Sequence, residues 1–197
     1  MTARPDEEAV ARAQEEASTQ ASAQAGAQLD LRPDLKPDLQ PDLQPGQRWY
    51  FEDFHPGQQI DLGQRTVTEA EILAFAREFD PQSFHVDPDA AEASLYGGLI
   101  ASGWHTCSMM MRMVVDGLLN AASGMGSPGL DGVRWLQPVR AGDTLRVRYL
   151  TRQVKASNTK PDRGVVWSTW IATNQHGVDV CTVDGMSMYG RRPARQT

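Results

Sequence analysis

Asp80 and His85 stand five positions apart in Asp80-Pro81-Gln82-Ser83-Phe84-His85, and Pro81 keeps the preceding helix from running on through them. Both side chains can then turn toward one point, a carboxylate and an imidazole of the kind that exchange protons in general acid/base catalysis. Downstream, Gly97-Gly98 breaks the chain and Ser102-Gly103 opens a long apolar run. Backbone N–H groups without helical partners are expected where that run begins, and they favour negative charge developing on a nearby oxygen. The segment 80–105 is therefore the expected active site.

The flanking elements explain how these residues would be placed. Thr68-Glu69-Ala70-Glu71 reads as a capping box ahead of Ile72, Phe75, Ala76 and Phe79 at helical spacing, so a helix delivers Asp80 at its end. Asp87-Pro88 is a second helix start, and the short helix it opens ends at Gly97-Gly98. Residues 102–122 read as a helix that is apolar nearly all round, with Trp104, Cys107, Met109, Met110, Met113, Val114 and Leu118. Such a helix must be enclosed by other elements. Arg112 and Asp116 lie one turn apart and can pair where it reaches the surface. The methionines read as core, or as an adaptable lining for an apolar ligand.

Strands are expected over 60–67, 133–137, 144–155, 165–174 and 178–189, separated by breaks that contain Gly, Pro or Asn. Breaks of this length favour an antiparallel meander. The resulting class is α+β, a curved antiparallel sheet with one enclosed helix. His55, in His55-Pro56-Gly57, reads as a turn residue.

The first 48 residues differ in character. Residues 1–26 are rich in Ala, Gln and Glu with few large apolar side chains, and 32–45 place a proline at every fourth position. Neither stretch can build a core, so 1–48 is expected as a disordered tail and 49–197 as one folded domain. The proline repeat reads as a spacer or as a docking element that displays leucines. The tail carries nine acids against five bases, four of the six net negative charges of the chain, which argues against wholesale nucleic-acid binding. Cys107 and Cys181 lack metal-ligand spacing and read as buried free thiols in a reducing compartment. With no stretch of eighteen apolar residues, a soluble cytoplasmic protein is expected.

Asp80 to His85, then Val86-Asp87-Pro88, then Tyr96-Gly97-Gly98-Leu99-Ile100-Ala101-Ser102-Gly103, resembles the signature of the MaoC-like hydratase/dehydratase family, whose members include R-specific enoyl-CoA hydratases. The resemblance extends more loosely over 50–189. It implies a hot-dog fold, a homodimer, an acyl thioester of coenzyme A as substrate, and neither a metal nor a further cofactor. It also implies that Asp80 and His85 hold and polarise one water, that the Gly103 N–H donates to the thioester carbonyl, and that Gly98, Ile100, Ser102 and Trp104 line the substrate. Which member of the dyad takes the water proton stays open at this level.

The chain departs from the pattern at Gln82-Ser83, where many members carry Asn-Pro, and at Ser102, where many carry histidine. Ser102 reads as a helix cap or as a hydroxyl within the site, and His105 as a partial substitute for the missing histidine or as a core residue. Among Arg134, Arg140, Arg146, Arg148, Arg152, Lys155, Lys160 and Arg163, a subset can bind coenzyme A phosphates, or the group forms a solvated sheet face. Two rival functions share these residues: a thioesterase using Asp116, and a non-catalytic acyl-thioester binding module.

Overall fold

The computed structural model describes residues 48–194. The expected tail over 1–48, with its proline repeat, lies outside them apart from Arg48. In chain order the elements are a 3-10 turn Phe51–Asp53, β1 (Gln59–Thr66), α1 (Glu69–Phe79), α2 (Ser83–Val86), α3 (Pro88–Glu92), α4 (Gly103–Gly117), a 3-10 turn Leu119–Ala121, β2 (Gly129–Trp135), β3 (Thr144–Ala156), β4 (Arg163–Thr173) and β5 (Asp179–Gly190). The strands form one sheet in the order β1-β3-β4-β5-β2, antiparallel at every step, curled round α4. This is the hot-dog arrangement of the α+β class.

Local rules account for the helix starts. Thr68 Oγ1 accepts from Glu71 N while Glu71 Oε2 accepts from Thr68 N, closing the capping box that opens α1. Asp87 caps α3 by accepting from Asp89 N and Ala90 N, with Pro88 in the first turn. In α4, Thr106, Met109, Met110, Met113 and Val114 are buried, a stripe at spacings of one, three and four. They meet Leu145, Val147 and Tyr149 of β3, Val166 and Ala172 of β4, and Cys181, Val183 and Tyr189 of β5, the inward alternates of their strands. Each fully buried side chain of this size contributes about 1.5–3 kcal/mol. Hydrophobic burial round one helix is what holds the sheet in its curl. Both cysteines are free, Cys181 buried and Cys107 half-buried.

Two expectations are corrected. The strands after α4 do not form a simple meander: β3, β4 and β5 do, but β2 pairs with the far side of β5. The 136–143 link is a crossover rather than a hairpin turn, and its backbone bonds are spent along the way, from Leu136 N to Val180 O, Ala101 N to Val139 O, and Val67 N to Asp143 O. The helix expected over 102–122 stops at Gly117, where Leu118 adopts φ −140°, ψ −58°. Gly117 lies so close to β1 that an added Cβ would come within 2.9 Å of Leu62 Cδ2, and the chain must turn there.

The two ends of the described chain meet. Trp49 N donates to Ala121 O, and Trp49, Phe54 and Tyr189 form an aromatic cluster that closes the core beyond the end of α4. Outside it, Arg191 pairs with Glu52 and Arg192 with Asp53, and the Arg192 guanidinium lies 4.8 Å from the centre of the Tyr50 ring. No described helix is long and apolar enough to cross a membrane.

Candidate active site

Asp80 is the C-cap of α1, its N–H bonded to Ala76 O at 2.9 Å. The proline that follows ends the helix, and the single turn of α2 then brings His85 back toward the carboxylate. His85 Nε2 lies 3.4 Å from Asp80 Oδ2. The imidazole is buried, and its other nitrogen, Nδ1, lies 2.8 Å from the backbone oxygen of Ile100. A carbonyl oxygen only accepts, so Nδ1 carries a hydrogen and Nε2 is the ring nitrogen left to face Asp80.

Ile100 follows the Gly97-Gly98 turn, and its own N–H donates to Phe84 O. Both glycines take positive φ, +56° and +136°. Gly98 N donates to Ala91 O, and the Arg140 guanidinium donates to the carbonyls of Tyr96 and Leu99. A Cβ at Gly98 would approach Arg140 Nη1 to 3.1 Å. The loop that meets His85 Nδ1 is thus clamped by an arginine from the 136–143 crossover.

Ser102 is fully buried and makes two bonds with one hydroxyl. Its Oγ donates to Asp80 Oδ2 at 2.7 Å and accepts from Trp104 N at 3.2 Å, capping α4. Gln82 Nε2 donates to the other carboxylate oxygen, Oδ1, at 2.9 Å. The Ser102 hydroxyl above all, with Gln82 and the attraction of His85, holds the Asp80 carboxyl below its ordinary 3.8 against the opposing effect of burial. Asp80 is therefore an ionised acceptor at neutral pH. A carboxylate oxygen and an imidazole nitrogen 3.4 Å apart can share a proton between them or hold one small polar molecule against both.

Gly103 begins α4, where the first N–H groups have no intrahelical acceptor. Trp104 N is capped by Ser102 Oγ, and Gly103 directly precedes it in the first turn of the helix. The other side of Gly103 is covered: an added Cβ would come within 2.5 Å of Trp135 Cε2, and Trp135 Nε1 donates to Gly103 O at 2.9 Å. Trp104 turns its indole outward to meet Trp135 edge-on, the centroids 5.5 Å apart.

Of the residues singled out in the sequence, Asp80, His85, Ser102 and the backbone of Ile100 come together, with Gly103 adjoining. Gly98 serves the turn behind them, and Trp104 lies at the surface. Gln82, which in the sequence is only a departure from a pattern, bonds to the carboxylate, and Arg140 and Trp135 act from distant parts of the chain. Arg146 pairs with Asp61, Arg148 lies 3.9 Å from Asp179, and Arg163 pairs with Asp162, so these three cations of the basic group already face acids. Among the described residues no set of three or more His, Cys, Asp or Glu side chains is grouped to hold a metal.

His105 is buried. Its ring stacks on Phe75 of α1 at 4.9 Å, near Arg65 and Glu71, and burial holds it below its ordinary 6.5, with Glu71 opposing and Arg65 reinforcing that shift. A buried histidine with a depressed value folds in the neutral form, so its contribution to stability is full above 6.5 and lost as pH falls through the lower folded value. Denaturant titrations across this window should show a decline for the wild type that His105→Phe lacks. Parallel declines in both proteins would assign the pH dependence elsewhere.

Comparison with known proteins agrees with this fold. A crystal structure of the MaoC-like dehydratase from Rhodospirillum rubrum superposes with a TM-score of 0.67 at 38% identity, covering 74% of this chain and 99% of that one. The (R)-specific enoyl-CoA hydratase of Rhodospirillum rubrum is 31% identical over 103 residues, 49% of this chain and 65% of that protein. Protein MaoC of Klebsiella aerogenes is 30% identical over 123 residues, and the match covers 61% of this chain but 36% of that protein's length. Residues 53–169, which contain the dyad, the Gly97-Gly98 turn, the start of α4 and Trp135, match the family described as MaoC like domain. More than half of the sequence lies in that match, and the chain belongs to the MaoC-like family.

Proposed function

We propose that this protein is an acyl-thioester hydratase/dehydratase, a hydro-lyase that adds water reversibly across the double bond of a 2-enoyl-CoA type substrate. The observation that carries the reading is the placement of His85: its Nδ1 lies 2.8 Å from Ile100 O, so that Nε2 is turned to the Asp80 carboxylate at 3.4 Å, next to the start of α4. In the hydration direction, the Gly103 N–H polarises the thioester oxygen. A water donating to both Asp80 and Nε2 attacks the β-carbon, and its proton passes to Nε2. The imidazolium, stabilised by Asp80, returns that proton to the α-carbon as the enolate collapses, so one water is added and the dyad is restored.

The test is a panel of 2-enoyl-CoA and 3-hydroxyacyl-CoA thioesters of several chain lengths, followed by the conjugated-thioester absorbance beside a free-thiol readout. Absorbance change in the wild type that is lost in His85→Ala is the expected result. Full turnover in His85→Ala would overturn the assignment, and thiol release in its place would indicate thioester hydrolysis. Nothing in the geometry favours hydrolysis through Asp116. That carboxylate is exposed, pairs with Arg112 at 2.6 Å, and lies 13 residues along α4 from Gly103, about 20 Å at 1.5 Å per residue.

The homodimer is part of the same proposal, and the two sheet edges support it unequally. The edge at β1 is interrupted by a bulge between Asp61 and Gln64 and carries the Asp61–Arg146 ion pair. The edge at β2 presents half-exposed Leu130 and Trp135, close to Trp104. Unpaired, apolar edges invite another strand, and a second copy pairing through β2 would cover this one. A monomeric mass in solution would refute the pairing. A cytoplasmic location remains within the proposal.

A further inference from the structure

We propose that Ser102 is a positioning residue that ties the acid/base carboxylate to the start of α4, so that Asp80 and the Gly103 N–H move as one body. The inference rests on the hydratase reading above and goes beyond it. The Trp104 N–H donates to Ser102 Oγ at 3.2 Å, and the same hydroxyl donates onward to Asp80 Oδ2 at 2.7 Å. A hydroxyl that accepts from a backbone amide is a stronger donor, since hydrogen bonds in series polarise one another. Each bond therefore strengthens the next, from the positive end of the helix toward the carboxylate.

Three features distinguish this from an ordinary cap. Ser102 has no exposed surface, so in the intact protein its hydroxyl bonds are made without competition from bulk solvent. The oxygen it bonds, Oδ2, is the one that faces His85 Nε2 at 3.4 Å, whereas Gln82 bonds the other oxygen, Oδ1. Ser102 therefore selects which lone pairs of that oxygen remain for the water. A capping serine also does not need a carboxylate partner: its task in the helix is finished when it accepts from Trp104 N. Among the described residues, His85 is the titratable group that faces Asp80, with Ser102 and Gln82 as its neutral donors. Loss of one donor should therefore raise the pH at which Asp80 protonates, with no other charge in contact to mask the change.

The experiment compares wild type, Ser102→Gly, Ser102→Thr and Asp80→Asn in the enoyl thioester assay over a range of pH. Glycine is accepted at a helix N-cap nearly as well as serine, so Ser102→Gly keeps the helix start and removes the donor. Its kcat should fall about 10- to 100-fold, the worth of one hydrogen bond to a charged group, with KM little changed. The acid limb of its pH profile should move to higher pH, and Ser102→Thr should restore both. An NMR titration of the His85 ring should show the same displaced acid transition in Ser102→Gly without any substrate. An unmoved acid limb and an unmoved titration in Ser102→Gly, with Asp80→Asn inactive, would overturn the role of Ser102 and leave the dyad standing. Full activity in Asp80→Asn would instead overturn the dyad itself, and the NMR titration would still report whether Ser102 sets the Asp80 proton. If Ser102→Thr fails to fold, Ser102→Gly and its titration decide alone.

Discussion

Asp80→Asn should lower kcat/KM for a 2-enoyl thioester by about 10²- to 10⁴-fold while leaving the protein folded. The amide has nearly the same shape as the carboxylate, and its oxygen can still accept from Ser102. What it loses is the negative charge that holds one hydrogen of the water and stabilises the imidazolium on His85. The stability change has a definite sign. Because the folded carboxyl lies below its ordinary 3.8, it contributes stability above that value, which is lost as pH falls through the lower folded value. At neutral pH the amide lacks that contribution, so a modest fall in melting temperature should accompany the loss of turnover, and in acid the two proteins should converge. Turnover within tenfold of wild type would remove Asp80 from the chemistry. A melting temperature that does not converge in acid would show that the substitution acts through packing.

Gly103→Ala is the second large effect, and its sign is decided by a competition. In an open helix interior alanine is favoured over glycine by about 0.8–1.0 kcal/mol. Here the new methyl would sit 2.5 Å from Trp135 Cε2 and 2.6 Å from Nε1, closer than real Cβ contacts occur. Overpacking of this kind costs about 1–3 kcal/mol, so the clash outweighs the propensity. Relief comes either by expelling the indole, which breaks its bond to Gly103 O and its contact with Trp104, or by shifting the first turn of α4. A shift of about 1 Å at that turn displaces the donor to the thioester oxygen, and kcat/KM should fall by about 10²-fold. Pairing Gly103→Ala with Trp135→Leu should recover stability, because the methyl then has room. Wild-type activity and stability in Gly103→Ala alone would show that the indole is free to leave and that Trp135 does not hold the helix start.

Local sequence carried the parts of this site that local physics determines. The capping box at Thr68 and Glu71, Asp87 and Pro88 at the start of α3, and the Asp80-Pro81 stop are each complete within a few residues, and the structure has them where the sequence places them. The strand order was not legible, because the choice between β3 and β5 as the partner of β2 depends on the crossover over 136–143 and not on the composition of any strand. β2 begins at Gly129, four residues before the strand expected over 133–137, since pairing with β5 overrides weak strand propensity. The orientation of His85 rests on the carbonyl of Ile100, and a backbone atom leaves no trace in residue type. Trp135 meets Gly103 across 32 positions of sequence. Ser102 was legible as a cap, but its second bond, to a residue 22 positions earlier, appears only once α1 and α4 are side by side.

The pairing of Arg191 with Glu52 and of Arg192 with Asp53 has a consequence for connectivity. These ion pairs are partly exposed and contribute little individually, about 0–1 kcal/mol each. They nevertheless bring residues near Trp49 and Arg192 close enough for a short peptide to join them. The exposed 157–162 turn between β3 and β4 is a place where the chain can be reopened, since loop tips tolerate new termini. A circular permutant made in this way would start in β4 and end in β3, keeping α1 through α4 as one uninterrupted stretch. Every contact to Asp80, His85 and Ser102 would be retained, so the order in which the strands are synthesised is separable from the chemistry they support.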